Sequence, residues 1–169
     1  MRILRSNRLG SGTAASAMAM TLALLFSLAG PAAAGEQVPF KGSLSGTVTV
    51  TPLTPPFASV LIEGTGNATH LGGFDLVIPH QVNQALRVGA GTYVFTAANG
   101  DTLTADFTGT ATLLAPGVLS TAEVGIITGG TGRFAGATGT FAAERTFFVA
   151  TRVTTGSFEG TISSGAARH

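Results

Sequence analysis

From residue 39 onward the chain alternates between apolar and polar positions. In PFKGSLSGTVTV, Phe40, Gly42, Leu44, Gly46, Val48 and Val50 share one parity, while Lys41, Ser43, Ser45, Thr47 and Thr49 share the other. DTLTADFTGTATL repeats the pattern: Leu103, Ala105, Phe107, Gly109, Ala111 and Leu113 oppose Thr102, Thr104, Asp106, Thr108, Thr110 and Thr112. Successive strand side chains point to opposite faces, so each run predicts a half-buried strand. Threonine suits the wet face because its branched Cβ favours extended backbone. Asn99-Gly100 marks a two-residue hairpin turn between two such runs. TPLTPPF interrupts the ladder with prolines, and HLGGF and APGV supply further turns. The pattern predicts eight strands near residues 39–51, 57–70, 73–80, 91–98, 101–114, 119–128, 139–152 and 156–163. HQVNQALRVGAG is the least regular stretch and reads as a loop with a short helical turn. No segment sustains a helical period.

Eight antiparallel strands form either a sandwich or a closed barrel. Closure removes the exposed edges that endanger a β protein, and an eight-stranded interior either fills with side chains or holds one small ligand. Phe40, Phe74, Phe95, Phe107, Phe141, Phe147 and Phe158 all fall on the apolar parity of their strands. This inward stripe favours an all-β, eight-stranded antiparallel barrel over the sandwich.

The first 34 residues stand apart. MRILRSNR carries Arg2, Arg5 and Arg8 and no acid, an apolar run follows, and small residues occupy Ala32 and Ala34. This is the layout of a secretory signal peptide, with cleavage expected after Ala34. An uncut anchor is the alternative, but the run is short for a membrane span. The separated arginines do not support a twin-arginine signal. Removing 34 residues from 169 leaves one domain of 135, residues 35–169, with six bases against eight acids and a net charge of −2. No basic patch is left to attract nucleic acid. The chain has no cysteine, which excludes disulfides, thiolate nucleophiles and thiolate metal sites.

TGGTGRFAGATGTF places Gly129, Gly130, Gly132, Gly136 and Gly139 within fourteen positions. A phosphate loop would need a Gly-Lys-Ser/Thr ending, and a dinucleotide fingerprint would need a third glycine at Ala135 and a following helix. A linker would not place Phe134 at its centre. The stretch reads as a tight turn between strands, with Phe134 plugging the barrel end and Arg133 facing water or a carboxylate. ITGGTGRFAGATGTF, from Ile127, resembles the signature of the allene oxide cyclase and dirigent barrel superfamily. FTAANGDTLTADFTGT, from Phe95, is similar to exported bacterial relatives. The resemblance covers 31 residues and implies an eight-stranded barrel with an apolar cavity, often in a homotrimer. Plant cyclases of that superfamily close an unstable fatty-acid epoxide, and dirigent proteins steer the coupling of phenoxy radicals. No catalytic residue carries over, because only the turn signature matches, and fold separates easily from function.

Several residues could contact a ligand. Arg145 shares parity with Phe141, Ala143 and Phe147, and could hold a carboxylate or phenolate. A bulge near Gly139 would instead turn Glu144 inward. His80 follows Phe74, Leu76 and Ile78 and could act as acid or base, or mark a strand leaving the core beside Pro79. His70 reads as a turn residue that could approach His80, though the pair makes a weak metal site. Tyr93, the only tyrosine, shares parity with Phe95; it could orient a ligand or sit at the barrel mouth with its hydroxyl in water. Phe95, Phe107 and Phe141 would supply apolar walls. Glu63, Asp106, Glu123 and Glu159 read as solvent-facing charges, and Asn67-Ala68-Thr69 fits a glycosylation sequon.

The expectation is an exported barrel, periplasmic or extracellular, that binds a small apolar molecule without cofactor, metal, nucleic acid or stable membrane span. A cyclase or isomerase acting on an oxylipin- or phenol-like substrate, or a protein guiding coupling, is the second reading. A structural protein with a filled core is the third. Phe147-Phe148 puts aromatics on both faces of one strand and hints at oligomers.

Overall fold

The computed structural model describes residues 35–163. The expected leader, residues 1–34, lies outside the described residues.

Eight strands follow one another: β1 (Gln37–Pro52), β2 (Phe57–Ala68), β3 (Gly72–Asn83), β4 (Val88–Ala97), β5 (Thr102–Ala115), β6 (Val118–Gly130), β7 (Thr138–Phe148) and β8 (Val153–Ser163). Each pairs antiparallel with the next, and β8 pairs with β1 from Gln37↔Ser163 to Thr47↔Val153, so the sheet closes into a barrel. The inward parity read for β1 and β5 is the one observed: Phe40, Leu44, Val48, Leu103, Ala105 and Phe107 are all buried.

The stretch from His80 to Gly91 differs from the expectation of a loop with a helical turn. β3 runs on to Asn83, and β4 begins at Val88 after the turn at residues 84–87. Asn83 Oδ1 accepts from the backbone N–H groups of Ala85 and Leu86, each at 3.1 Å, and this fixes the turn. His80 therefore does not mark the end of a strand. Pro79 has no N–H to give, yet the β3–β4 register is unchanged across it, from Val77↔Val94 to His80↔Gly91. β7 stops at Phe148, short of the expected 152.

Size is managed across strands. Most of the inward phenylalanines face a glycine on a neighbouring strand: Phe40 and Phe141 face Gly160, Phe74 faces Gly66, Phe107 faces Gly91, and Phe158 faces Gly42. The rings fill the space those missing side chains leave. A Cβ on Gly66 would lie 2.3 Å from the Phe74 ring, and one on Gly125 would lie 2.4 Å from Phe141. The rings then meet edge to face. Phe74 and Phe95 lie 5.2 Å apart at 81°, Phe40 and Phe141 5.8 Å apart at 67°.

This aromatic cluster makes one half of the barrel solid. The β6–β7 connection closes that end with a short 3-10 turn, Gly132–Phe134, whose Phe134 is buried beside Leu71 and Ala137. Gly132 has φ +53°, and a Cβ there would collide with the Asp101 carboxylate. Asp101 Oδ2 accepts from Asn99 Nδ2 at 2.8 Å and from the Arg133 N–H at 3.2 Å, locking the β4–β5 turn to the 3-10 turn. These bonds, the side-chain one from Asn99 foremost, hold the partly exposed Asp101 carboxyl below its usual pKa.

The facing-glycine arrangement makes a direct prediction. Gly125→Ala should cost about 1–3 kcal/mol of unfolding free energy through overpacking against Phe141. Gly73→Ala, with open space around its Cβ position, should change it by less than about 0.5 kcal/mol. Equal urea midpoints for the two variants would contradict the packing argument.

Candidate functional site

The opposite half of the barrel is open. A cavity of about 290 Å³ enters from the end that carries the β3–β4 and β7–β8 turns. Its walls are apolar, chiefly Val48, Val50, Val60, Ile62, Leu119 and Phe147, and Phe107 borders it below. Asn83, Gln84 and Arg87 stand at the rim. Polar side chains reach the interior at four wall positions: His80, Thr121, Glu123 and Arg145.

Arg145 sits on the inner face of β7, buried with 4% of its surface exposed, whereas Glu144 faces solvent. The bulge alternative therefore does not occur. Arg145 is not unpaired. Its Nη2 and Nε donate to Glu123 Oε1 and Oε2, the latter at 3.3 Å, and Nη1 lies 3.4 Å from Thr154 Oγ1. Thr154 Oγ1 in turn donates to the Thr146 carbonyl at 3.1 Å.

Glu123 corrects a sequence expectation. It does not face solvent with Glu63, Asp106 and Glu159 but is 6% exposed on the inner face of β6. The reason is that the middle of β6, between the inward Leu119 and Ile127, reverses the usual polarity of a half-buried strand. Val124 and Ile126 point outward, 57% and 59% exposed, while Thr121, Glu123 and Gly125 point in. The ion pair and the small residues opposite it stabilise this register. Gly109 faces Glu123 and Gly156 faces Arg145, and a Cβ on either would touch the charged side chain's stem.

Tyr93 also departs from one of its two readings. It is fully buried mid-barrel rather than at the mouth, and its hydroxyl donates across the lumen to Glu123 Oε2. Burial, then the neighbouring Glu123 charge, pushes the phenol far above its usual pKa, so it remains a donor at any ordinary pH. For Arg145, burial opposes the charge, but Glu123 and Tyr93 outweigh it, and the guanidinium is held above its ordinary pKa.

His80 is half-buried at the cavity wall, its ring 5.5 Å from Phe107. Nδ1 lies 3.1 Å from the Ile78 carbonyl, which can only accept, so Nδ1 carries the proton and Nε2 is the free lone pair of the neutral ring. Burial, with Arg145 adding to it, lowers the imidazole pKa below 6.5, against the opposing effects of the Ile78 carbonyl and Glu123. His70 does not approach it. His70 lies in the β2–β3 turn at the closed end, its Nε2 3.1 Å from the Pro39 carbonyl, while His80 is near the open end of β3.

The structure thus brings Arg145, His80 and Phe107 to one cavity. It places Tyr93 beneath them through Glu123 and buries Phe95 and Phe141 in the solid half. Glu123, Thr121 and Thr154 were not singled out from sequence as site residues. The usable signal for Glu123 was Arg145 itself, since an inward arginine requires an acid on a neighbouring strand.

No protein-family model and no curated protein matches the chain. Among solved structures it is similar to that of a pterocarpan synthase dirigent protein, with 12% sequence identity, a TM-score of 0.53, and coverage of 79% of this chain and 88% of that one. The likeness is one of fold: the chain is a dirigent-like β-barrel.

Two outcomes follow from the site's electrostatics. Arg145→Met leaves Glu123 buried without its cation and should cost about 3–5 kcal/mol, much of it recovered by Arg145→Met/Glu123→Leu; urea denaturation checks both. His80 has a folded pKa below its unfolded value of 6.5, so its contribution to stability is complete above pH 6.5 and is lost as pH falls through the folded pKa. The stability difference between wild type and His80→Gln should therefore shift against wild type on acidification below pH 6.5. A pH-independent difference would refute the coupling.

Proposed function

We propose that the open half of the barrel binds one small, mainly apolar molecule and holds its polar end against the inner polar cluster. The observation that carries this reading is the cavity: about 290 Å³ of apolar-walled space that ends on Arg145, Glu123, Thr121 and His80. Ligand pockets are concave, mostly apolar and furnished with a few convergent polar groups, and this volume sits at their lower limit of roughly 300 Å³. It equals about ten times the ~30 Å³ share of a water in the liquid. The space suits a compact molecule of one ring and a short substituent.

The similarity to a dirigent protein supports a role in binding or guiding a small molecule. A cyclase or isomerase activity is the second reading, favoured by one feature. His80 has a fixed tautomer, a free Nε2 lone pair and a lowered pKa, as a general base at neutral pH requires. The filled-core reading fits only the closed half. In this proposal the chain works outside the cytoplasm, supported by the layout of residues 1–34. Assembly into a trimer rests on the superfamily resemblance and on the outward Val124, Ile126 and Phe148.

Saturation with a fitting ligand, at a hundred times its Kd, should stabilise the fold by about 2.7 kcal/mol. A thermal-shift screen of compact apolar molecules should therefore yield positive shifts with wild type. Val60→Phe, which fills the cavity, should abolish them, while Phe74→Leu in the solid half should preserve them. Shifts that survive Val60→Phe would place binding elsewhere. Native mass spectrometry of protein from its own host would read retained ligand and subunit number together.

A further inference from the structure

The charges in the cavity wall are already balanced. Three guanidinium nitrogens of Arg145 are directed to protein oxygens, two of them on Glu123. Glu123 also accepts from Tyr93, so both carboxylate oxygens are engaged. A carboxylate brought to this wall would lose its water and meet Glu123 as closely as Arg145, while an ammonium would meet Arg145. Neither gains a net counter-charge to offset desolvation.

One polar atom of the wall stands apart. Thr121 Oγ1 is buried and has no hydrogen-bond partner, alone in this respect among the described residues. Thr121 lines the cavity and is the cross-strand partner of Arg145. Its neighbours do not need it: Thr154 bonds the Thr146 carbonyl, and His80 Nδ1 bonds that of Ile78. Native proteins rarely leave a buried hydroxyl unsatisfied; this one is turned into the wall, and a rotation about χ1 would bring it onto the cavity face that Thr121 lines.

We propose, resting on the reading of the cavity as a ligand site, that it selects an uncharged molecule carrying a hydroxyl or carbonyl oxygen. Glu123 sets this choice by cancelling the charge of Arg145, and Thr121 Oγ1, rotated to the cavity face, provides the hydrogen bond that orients the ligand. Glu123 is thus a specificity determinant and Thr121 a direct contact. A hydroxyl can donate to or accept from Thr121, and a carbonyl can accept from it, so one oxygen satisfies the orphan group.

Four probes share one apolar body: cyclohexylmethanol, cyclohexanecarboxylate, cyclohexylmethylammonium and methylcyclohexane. Their affinities for the wild-type chain, measured by calorimetry at pH 7, should rank the alcohol first, with both ions at least about tenfold weaker. Thr121→Val keeps the side-chain shape and should weaken the alcohol about threefold to tenfold, leaving methylcyclohexane within about twofold. Glu123→Gln should favour the carboxylate over the alcohol by at least about tenfold relative to wild type. Carboxylate or ammonium binding within threefold of the alcohol on wild type overturns the charge selection, whether or not Glu123→Gln folds. Unchanged alcohol affinity in Thr121→Val overturns the role of Thr121. Methylcyclohexane binding as tightly as the alcohol overturns this proposal while leaving the ligand-site reading intact. Failure of all four probes overturns that reading and the selectivity with it.

Discussion

The narrowness of an eight-stranded barrel is the constraint on which the rest depends. The interior is narrow enough that most inward phenylalanines stand beside a glycine on an adjacent strand, although Phe95 pairs with Leu76 and Leu103. Where Phe107 or Phe141 points inward, Gly91, Gly125 or Gly160 stands beside it, and the ring occupies the volume of the missing side chain. Glycine in a strand interior costs backbone entropy and forfeits packing of its own. The cost is met here because each absence admits a ring that packs against several others. Edge-to-face contacts such as Tyr93–Phe141 at 5.4 Å contribute about 0.5–1.5 kcal/mol beyond the area they bury.

The same rule admits the charges. Gly156 and Gly109 make room for Arg145 and Glu123 as other glycines do for phenylalanines. An internal ion pair is nevertheless a poor way to stabilise a lumen. Desolvation takes back most of the attraction, and well-packed apolar residues of similar volume commonly do as well or better. Tyr93, fully buried and bonded to Glu123, adds a third member that gains only if the network is complete. A network of this kind at the inner end of an open cavity is better understood as a surface prepared for something else than as a contribution to stability.

How much of this was legible depended on whether the inner face had to be apolar. β1 and β5 were read directly, because Phe40, Leu44, Val48, Leu103, Ala105 and Phe107 face a packed interior and alternate with threonine and serine. β6 was not, because its outer face carries Val124 and Ile126 and its inner face Thr121 and Glu123. Period-two reasoning locates a strand but assigns faces by hydrophobicity, and there the assignment inverts. The end of β3 and the start of β4 failed for a related reason. Near the open mouth the inward positions His80, Val82 and Gly89 border a cavity, and only Val82 also packs on the core, so the apolar pattern there is weak. The turn Gly129–Gly139 was legible because its glycines answer to backbone geometry, which does not depend on what the barrel holds.

Irregular sequence and candidate function therefore coincide in space, and one physical cause accounts for both. The solid half sets most of its rings against glycines and is closed by Phe134 and locked by Asp101. That half holds most of the aromatic contacts and can maintain closure while the other half stays hollow. Polar residues stand where the strand pattern breaks, and the pattern breaks where the barrel is open. The exceptions to alternation in such a chain are thus the positions to examine first for a ligand contact.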